Sequence, residues 1–226
     1  MIREGRPFLP RSGFRLLKPL TKQYLVNQGR GRVKKAACMC ARMTAWVLSL
    51  QKRGKTNMEF DTLIRERYSV RAYLDKPVEE KKLRKVLETA VLAPTAANRQ
   101  AFRLIVLSTS EREKELRTIY SKDWFTQAPY VICVCSLPSQ AWTRKDGKSY
   151  GDVDAAIVMD HLILAAADQG LGTCWVGAFD AQAAREVLNL PDDAEPVAFT
   201  PLGYPADKPK AKKRKALEEL VTYGTW

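Results

Sequence analysis

The sequence predicts an α+β fold or a three-layer sandwich, built around a small sheet. From Met58 onward, segments with apolar residues at helical spacing alternate with short apolar runs typical of buried strands. Their order is helix, helix, strand, helix, strand, helix, strand, helix, strand and a tail, without an internal repeat. Hydrophobic residues make up 46% of the 226-residue chain, which is enough for a substantial core in one domain.

Each helix is predicted from an apolar stripe or from residues typical of helix ends. Phe60, Leu63 and Ile64 recur at the spacing of one helix face. Ser110, followed three residues later by Glu113, is typical of a capping box at a helix start. The fourth helix is alanine-rich, which predicts a place in the core or at a subunit interface. The predicted helices are Phe60–Arg67, Glu79–Leu92, Ser110–Tyr120, Asp154–Gln169 and Asp180–Leu188.

Four short apolar runs between these helices are predicted to be strands. They are Leu104–Leu107, Val131–Val134, Thr173–Val176 and Val197–Leu202. The polar stretches at 68–77 and 142–151 are predicted to be loops. The tail at 205–226 has little core-forming pattern, so it is expected to make sense only against another surface.

The whole formal charge of +13 lies in the first quarter of the chain. Residues 1–57 hold 14 Lys and Arg against one acid, Glu4, which leaves 24 basic and 24 acidic residues in 58–226. The balanced remainder gives no electrostatic reason to expect nucleic acid binding. The apolar run Met43–Leu50 is too short to span a membrane. Residues 1–57 are predicted to be a basic, disordered extension or a leader before a natural start at Met58, with an organellar transit peptide as the alternative.

The five cysteines and the single histidine do not form a metal or disulfide pattern. Cys133 and Cys135 lie two residues apart on one predicted strand, a spacing that suits a disulfide poorly. The odd number of cysteines and the lack of Cys-x-x-Cys predict a reduced, cytoplasmic protein. His161 has no cluster of Cys, Asp or Glu at ligand spacing around it, so neither a zinc site nor a histidine-based triad is predicted.

The glycine-rich stretch Gly170–Trp175 is not a dinucleotide-binding turn. Trp175 stands where the third glycine is needed, and the stretch follows a helix and precedes a strand, which is the reverse of the required order. The sequence also lacks a P-loop and a G-x-S-x-G element. Cys174 has no basic partner nearby in the sequence, which argues against a nucleophilic role.

Anion-binding groups are concentrated directly after the first predicted helix. Arg67, Ser69 and Arg71 supply two guanidinium forks and a hydroxyl, which suit a phosphate. Taken alone, the five residues Arg67–Arg71 are more typical of a basic turn exposed to solvent. Two later stretches favour a ligand instead: the polar loop Ala93–Gln100, and Gly203-Tyr204-Pro205 followed by a basic run at 212–215.

In this order and at these distances, four motifs resemble those of the nitroreductase family of flavin enzymes. The first, R-x-S-x-R, lies at Arg67–Arg71. The second, A-P-S/T-A-x-N-x-Q-P-W, lies at Ala93–Phe102, with Ala101-Phe102 where the family often has Pro-Trp. The third, G-L-G-T-x-W-I/V-G-x-F/W, lies at Gly170–Phe179, and the fourth, L-G-Y-P-A-x-x-P…R-K-x-L-E-E, at Leu202–Glu219. The resemblance covers residues 58–226.

The resemblance implies a nitroreductase-like sandwich with a small mixed, mainly antiparallel sheet, an intertwined homodimer and an FMN cofactor. Arg67, Ser69 and Arg214 would hold the phosphate and ribityl chain. The stretch Pro94–Asn98 would approach the flavin from the other subunit, and Trp175–Ala178 would lie along its opposite face. The implied cofactor-binding residues are Arg67, Tyr68, Ser69, Arg71, Pro94, Thr95, Ala96, Asn98, Gln100, Trp175, Val176, Gly177, Ala178, Lys212 and Arg214.

The implied activity is hydride transfer from NAD(P)H, through flavin N5, to a nitroaromatic, quinone-like or related small-molecule acceptor by a ping-pong mechanism. Arg71 and the backbone amides of Gly177 and Ala178 are the implied catalytic groups, because they would face the negative charge that develops on reduction. No metal is implied. Two alternatives stay open: a specialised family member such as a dehalogenase, a flavin-fragmenting enzyme or an azoline oxidase, and a nucleic-acid or membrane-surface binder acting through residues 1–57.

Overall fold

The computed structural model describes residues 59–226, so the predictions for residues 1–57 lie outside the described residues. The helices are α1 Phe60–Glu66, α2 Glu80–Ala90, α3 Glu113–Ile119, α4 Trp124–Gln127, α5 Gly151–Asp168, α6 Ala181–Leu188 and α7 Leu217–Leu220. The strands are β1 Phe102–Ser108, β2 Tyr130–Ser136, β3 Gly172–Thr173 and β4 Glu195–Gly203. A short 3₁₀ turn at Ala96–Asn98 lies between α2 and β1.

The four strands form one sheet in the order β1-β2-β4-β3, and every neighbouring pair is antiparallel. The β2–β4 register shifts between Val134 and Cys135. One parallel bridge, from Ser69 to Thr173, attaches the segment after α1 to the β3 edge. The predicted small, mixed and mainly antiparallel sheet is therefore confirmed.

Side chains of β2 alternate between two cores, one on each face of the sheet. Ile132 and Val134 pack with α2 and α5, whereas Val131 and Cys133 pack with α3, α4 and α6. The predicted three-layer sandwich is confirmed by these two cores. In α5 most of the alanines are buried, which confirms the predicted core position of this helix.

Two local predictions are wrong, and one short helix was not predicted. The helix after β1 begins at Glu113 without a side-chain cap, because Ser110 instead lies 3.0 Å from the hydroxyl of Ser108. The strand predicted at Thr173–Val176 is only Gly172–Thr173. Helix α4 has four residues, too few to carry a period that sequence analysis can detect. By contrast, Asp180 caps α6 as predicted, since its Oδ1 accepts the backbone N–H of Ala183 at 2.9 Å.

The sulfur atoms of Cys133 and Cys135 lie 3.6 Å apart on the buried face of β2, and both are free thiols. Within residues 59–226, no group of three or more His, Cys, Asp and Glu side chains is placed to hold a metal ion. None of the helices in this part of the chain is both long and apolar enough to cross a membrane.

Candidate active site

A cationic basin with a volume of about 280 Å³ lies where the segment after α1 meets the C-terminal tail. The lining residues are Arg67, Tyr68, Ser69, Arg71, Asp207, Lys208, Lys210, Lys212 and Arg214. Six of these nine side chains carry a positive charge and only Asp207 carries a negative one. The structure therefore brings the predicted residues of the first and fourth motifs together.

The first motif is fixed to the edge of the sheet by a close backbone approach. Val70 donates its N–H to the carbonyl oxygen of Thr173 at 2.9 Å, and its side chain is buried. A Cβ atom on Gly172 would lie 2.6 Å from a methyl group of Val70, so only glycine permits this approach without a shift. Gly172 of the third motif thus positions the first motif.

The tail is brought to the basin by antiparallel pairing with the residues that follow the first motif. Leu74 donates its N–H to Tyr204 at 2.9 Å, and Ala206 donates to Ala72 at 2.8 Å. Tyr73 and Pro205 form the bridge between them. This pairing carries the chain directly from the end of β4 to the basic residues of the fourth motif.

Asp207 joins the two segments at the floor of the basin, and sequence analysis missed it. Its Oδ2 accepts the backbone N–H of Arg71 at 2.9 Å, and its carbonyl oxygen accepts the hydroxyl of Tyr68 at 2.7 Å. Partial burial, together with the charge of Asp207 and its hydrogen bond, raises the pKa of Tyr68. The hydroxyl of Tyr68, a predicted cofactor contact, is thus engaged by the tail.

The cations of the basin crowd one another. The pKa of Lys212 is lowered by partial burial and by the neighbouring charges of Arg67 and Arg214. Its amino group also donates to the carbonyl oxygen of Arg65. Six guanidinium and ammonium groups around one cavity, with one carboxylate among them, suit a multivalent anion such as a phosphate.

The residues after β3 alternate between exposed and buried positions, and none of residues 175–178 lines the basin. Val176 exchanges two backbone hydrogen bonds with Phe199, at 2.8 and 3.0 Å, and its side chain faces the core. Trp175 is 41% exposed, so it is not a core residue. Gly177 and Ala178 are exposed, and a Cβ on Gly177 would meet only the indole nitrogen of Trp175 at 3.9 Å. The fold leaves the surface at Gly177 open.

Cys174 links this stretch to the basin. The thiol is buried, and burial raises its pKa, while the charge of Arg71 and a hydrogen bond from Ser69 act in the opposite direction. The thiol is therefore close enough to Ser69 and Arg71 of the first motif to be influenced by them. A raised thiol pKa agrees with the expectation that Cys174 is not a nucleophile.

The loop Pro94–Gln100 has an unusual backbone. Ala97, Asn98 and Gln100 have φ angles of 50°, 52° and 52°, in the left-handed region that non-glycine residues rarely adopt. Such residues cost about 1–3 kcal/mol each and persist where surrounding contacts enforce them. Within the loop, the hydroxyl of Thr95 accepts the N–H of Gln100 at 3.0 Å.

The loop is anchored to the first turn of α5 and not to the basin. Asp154, which is buried, accepts the backbone N–H of Ala96 through Oδ1 at 2.9 Å, whereas its Oδ2 has no partner. The basin lies beyond the other end of α5, near Gly172. Because 18 helical residues span about 27 Å, the loop and the basin are far apart in one chain. No residue of the loop lines the basin.

Solved structures with the same fold come from the nitroreductase family. A nitroreductase family protein from Clostridium difficile 630 aligns with a TM-score of 0.70 and 40% sequence identity, covering 75% of this chain and 100% of that chain. A nitroreductase family protein from Clostridium novyi NT aligns with a TM-score of 0.62 and 30% identity, covering 69% of this chain and 89% of that one. The chain therefore has the nitroreductase fold.

Sequence comparison gives the same assignment. The profile of the Nitroreductase family matches residues 64–122 and 116–204. The protein named FMN reductase (NAD(P)H) of Bacillus subtilis strain 168 is 28% identical over 172 residues, 69% of each chain. An NADPH-dependent oxidoreductase of Staphylococcus aureus USA300 is 27% identical over 161 residues, 64% of each chain. The chain belongs to the nitroreductase family.

Proposed function

We propose that this protein is an FMN-dependent oxidoreductase that takes hydride from NAD(P)H and delivers it to nitroaromatic, quinone-like or related acceptors. The observation that carries the proposal is the cationic basin, in which the predicted phosphate-binding residues of the first and fourth motifs come together. The names of the relatives, an FMN reductase that uses NAD(P)H and an NADPH-dependent oxidoreductase, support the same cofactor and electron donor.

The residues of the basin fit the phosphate end of FMN. Arg67, Lys212 and Arg214 are close enough for their charges to lower the pKa of Lys212, and a phosphate dianion would relieve that repulsion. The hydroxyl of Ser69 adds a neutral donor on the same wall. We assign the phosphate to these four side chains and the ribityl chain to the neighbouring wall of the basin.

Bound FMN supplies a hydride carrier at its N5 atom. The chain's own contribution is to orient the ring and to compensate negative charge. Arg71 has its backbone N–H fixed by Asp207, and its guanidinium carbon lies 5.9 Å from the ring centre of Trp124. We assign charge compensation to this guanidinium and to the amides of Gly177 and Ala178.

Proton transfer by a protein side chain is not part of the proposal. Among the residues that line the basin, none is a histidine, and the one carboxylate, Asp207, already accepts the N–H of Arg71. The contribution of the protein to the reaction is therefore to bind the flavin ring, to orient it and to exclude water from it. Since the donor and the acceptor would use the same face in turn, we expect ping-pong kinetics.

A second copy of the chain completes the site in this proposal. Pro94, Thr95, Ala96, Asn98 and Gln100 lie on a loop that the basin of the same chain does not include. A homodimer in which each basin receives the partner's loop would use all four motifs. It would also explain the exposed apolar residues of the tail, such as Leu217, Tyr223 and Trp226.

The test is a visible spectrum of the purified full-length protein, followed by steady-state kinetics with a panel of acceptors. We expect flavin absorbance, release of FMN on denaturation and parallel lines in double-reciprocal plots. A colourless protein that neither binds FMN nor oxidises NAD(P)H would contradict the proposal. The panel should include halogenated aromatics and azoline substrates, because these separate the general reductase from a specialised family member.

The basic segment 1–57 is proposed to be dispensable for this function. A chain that begins at Met58 should fold cooperatively and bind FMN as the full chain does. The competing function, binding to nucleic acid through the basic segment, predicts salt-dependent retention on DNA that the shorter chain loses. Loss of FMN binding in the shorter chain would instead make the segment part of the domain.

A further inference from the structure

Beyond Asp207 the tail is an almost unattached cationic strap, defined here as residues 208–215. Six of its eight residues are Lys or Arg and none is acidic. Within the described chain, its only hydrogen bond to residues outside the strap is from the amino group of Lys212 to the carbonyl oxygen of Arg65. Nevertheless Lys208, Lys210, Lys212 and Arg214 all line the basin. Because the strap has so few contacts of its own, the residue that precedes it must fix the path of the backbone along the basin.

Asp207 is placed to do this. The backbone pairing between the two segments ends at Ala206, which donates to Ala72. One residue further, the carboxylate of Asp207 takes over as the acceptor for the N–H of Arg71 at 2.9 Å. The hydroxyl of Tyr68 bonds the carbonyl oxygen of Asp207 at 2.7 Å and lies 3.2 Å from its Oδ1. The last attached residue is thus held at three atoms by the wall of the basin.

The negative charge of Asp207 also helps to hold the strap in position. The strap lines the basin together with Arg67 and Arg71, and these like charges repel the strap when no anion is bound. Asp207 is the only negative side chain in the lining, and it opposes this repulsion; outside the lining, the charge of Glu66 also favours the cation of Lys212. Without its carboxylate, the strap would keep the bond from the Tyr68 hydroxyl to the backbone carbonyl oxygen of position 207 and the bond from Lys212 to Arg65.

We infer that Asp207 is a positioning residue that makes the site selective for a phosphorylated flavin over the same ring without a phosphate. The inference rests on the proposed function. Asp207 holds the strap over the phosphate end, while the ring depends on the stretch 175–178 and on the partner's loop. Loss of Asp207 therefore weakens the binding of FMN and leaves riboflavin, which lacks the phosphate, unaffected.

The test is a titration of flavin-free full-length protein with FMN and, separately, with riboflavin, followed by flavin fluorescence. In Asp207→Ala the affinity for FMN should fall by at least about tenfold, while that for riboflavin stays within about twofold. Asp207→Asn keeps one carbonyl oxygen as acceptor, so its affinity for FMN should lie between those of the wild type and Asp207→Ala. The wild type should lose much of its preference for FMN at high salt.

Asp193→Ala is the matched control. Asp193 also accepts a backbone N–H, that of Ser139 at 2.9 Å, together with the hydroxyl of the same residue. It precedes β4, whereas Asp207 follows it, so the control removes the same kind of contact from the opposite end of the strand. Both flavin affinities should be unchanged in this variant.

Three outcomes would count against the inference. If Asp207→Ala binds FMN as tightly as the wild type or more tightly, the carboxylate opposes the phosphate instead of positioning the strap. A parallel loss of FMN and riboflavin would mean that Asp207 supports the fold or the ring site. Wild-type protein that binds neither flavin would overturn the proposed function and the inference together, which separates that result from the first two.

Discussion

The two halves of the candidate site lie at opposite ends of α5 and are built in different ways. The basin is lined by two segments far apart in sequence, and backbone pairing to Thr173 and Tyr204 holds them in place. The loop at 94–100 is one short exposed segment with three left-handed non-glycine residues. Its one side-chain attachment to the helix is Asp154.

The difference indicates which half is complete within one chain. The basin has both its cations and the contacts that position them. The loop is held in a strained backbone, yet only Thr95 and Ala96 are half-buried, the other side chains are exposed, and none of them lines the basin. Strain of this kind is expected where a segment is shaped for a ligand or partner outside its own fold. A second copy of the chain is the simplest partner for the loop.

The strongest test of this comparison is complementation between two inactive variants, and its expected effect is the largest. Arg214→Ala removes a basin cation, and Ala97→Pro breaks the loop, because proline requires a negative φ where Ala97 has 50°. Each variant alone should lose activity. A mixture refolded at equal amounts should recover about one quarter of wild-type activity, since half the dimers would be mixed and each would hold one intact site.

The control is each variant refolded alone at the same total concentration, together with a melting curve to show that it folds. If basin and loop act within one chain, every mixed dimer contains only damaged sites and nothing is recovered. A flavin-loaded monomer by light scattering would contradict the proposed assembly in the same way.

The sequence predicted the basin better than the contacts that support it. Arg67, Ser69 and Arg214 follow from residue types that suit phosphate and from motif spacing, and the structure places them in one cavity. Asp207 was missed because a single acid within a basic stretch carries no charge pattern, and its partner Arg71 is 136 residues away. Distances of that kind are set by tertiary pairing, which no local pattern encodes.

The loop shows a different limit. Its motif was visible in the sequence, but its strain was not, because neither Ala97 nor Gln100 is a residue that signals a positive φ. The layers and most helices were predicted because long apolar stripes report burial directly. Strand β3 was misjudged because the apolar run around Cys174 and Val176 is buried through a single bridge to Phe199 and not through a ladder.

Within the basin, the roles of Arg71 and Arg67 can be separated by their effects on rate and on binding. Arg71→Ala should slow the reduction of bound FMN by an amount equivalent to an activation free energy on the order of 2–4 kcal/mol, typical of one lost electrostatic donor. Arg67→Ala should mainly weaken the retention of FMN, because a phosphate carries its charge in both redox states. The measurement is stopped-flow reduction at saturating FMN beside an FMN titration. Normal reduction in saturated Arg71→Ala would move the role to the amides of Gly177 and Ala178.

The two glycines of the third motif at 172 and 177 should respond differently to the same substitution. Gly172→Ala places a Cβ 2.6 Å from Val70, so the free energy of unfolding should fall by about 1–3 kcal/mol, the usual range for overpacking. Gly177→Ala meets only Trp175 at 3.9 Å, so the stability should change by less than about 0.5 kcal/mol while FMN binding weakens. Chemical denaturation and FMN titration of both variants provide the comparison. Equal destabilisation would show that Gly177 also serves the fold.

At the other end of α5, Asp154→Ala should have a modest effect on global stability and a local effect on the loop. The variant loses the acceptor for the N–H of Ala96, a bond to a carboxylate worth about 1.5–3 kcal/mol. It also removes Oδ2, a buried oxygen without a partner, whose desolvation opposes folding. Because the two terms have opposite signs, the net loss of unfolding free energy should be about 1 kcal/mol. The strain at Ala97 and Asn98 then lacks its anchor.

Hydrogen exchange separates this local effect from a general one. In Asp154→Ala the amides of residues 94–100 should exchange faster, while the amide of Val70, bonded to Thr173 at the basin end, keeps its protection. Asp154→Asn retains an oxygen for the N–H of Ala96, so its loop should stay protected. Unchanged protection of the loop in Asp154→Ala would mean that the left-handed residues are held by the loop's own bonds, such as that from Gln100 to Thr95. The conformation of the loop would then not depend on its contact with Asp154 at the start of α5.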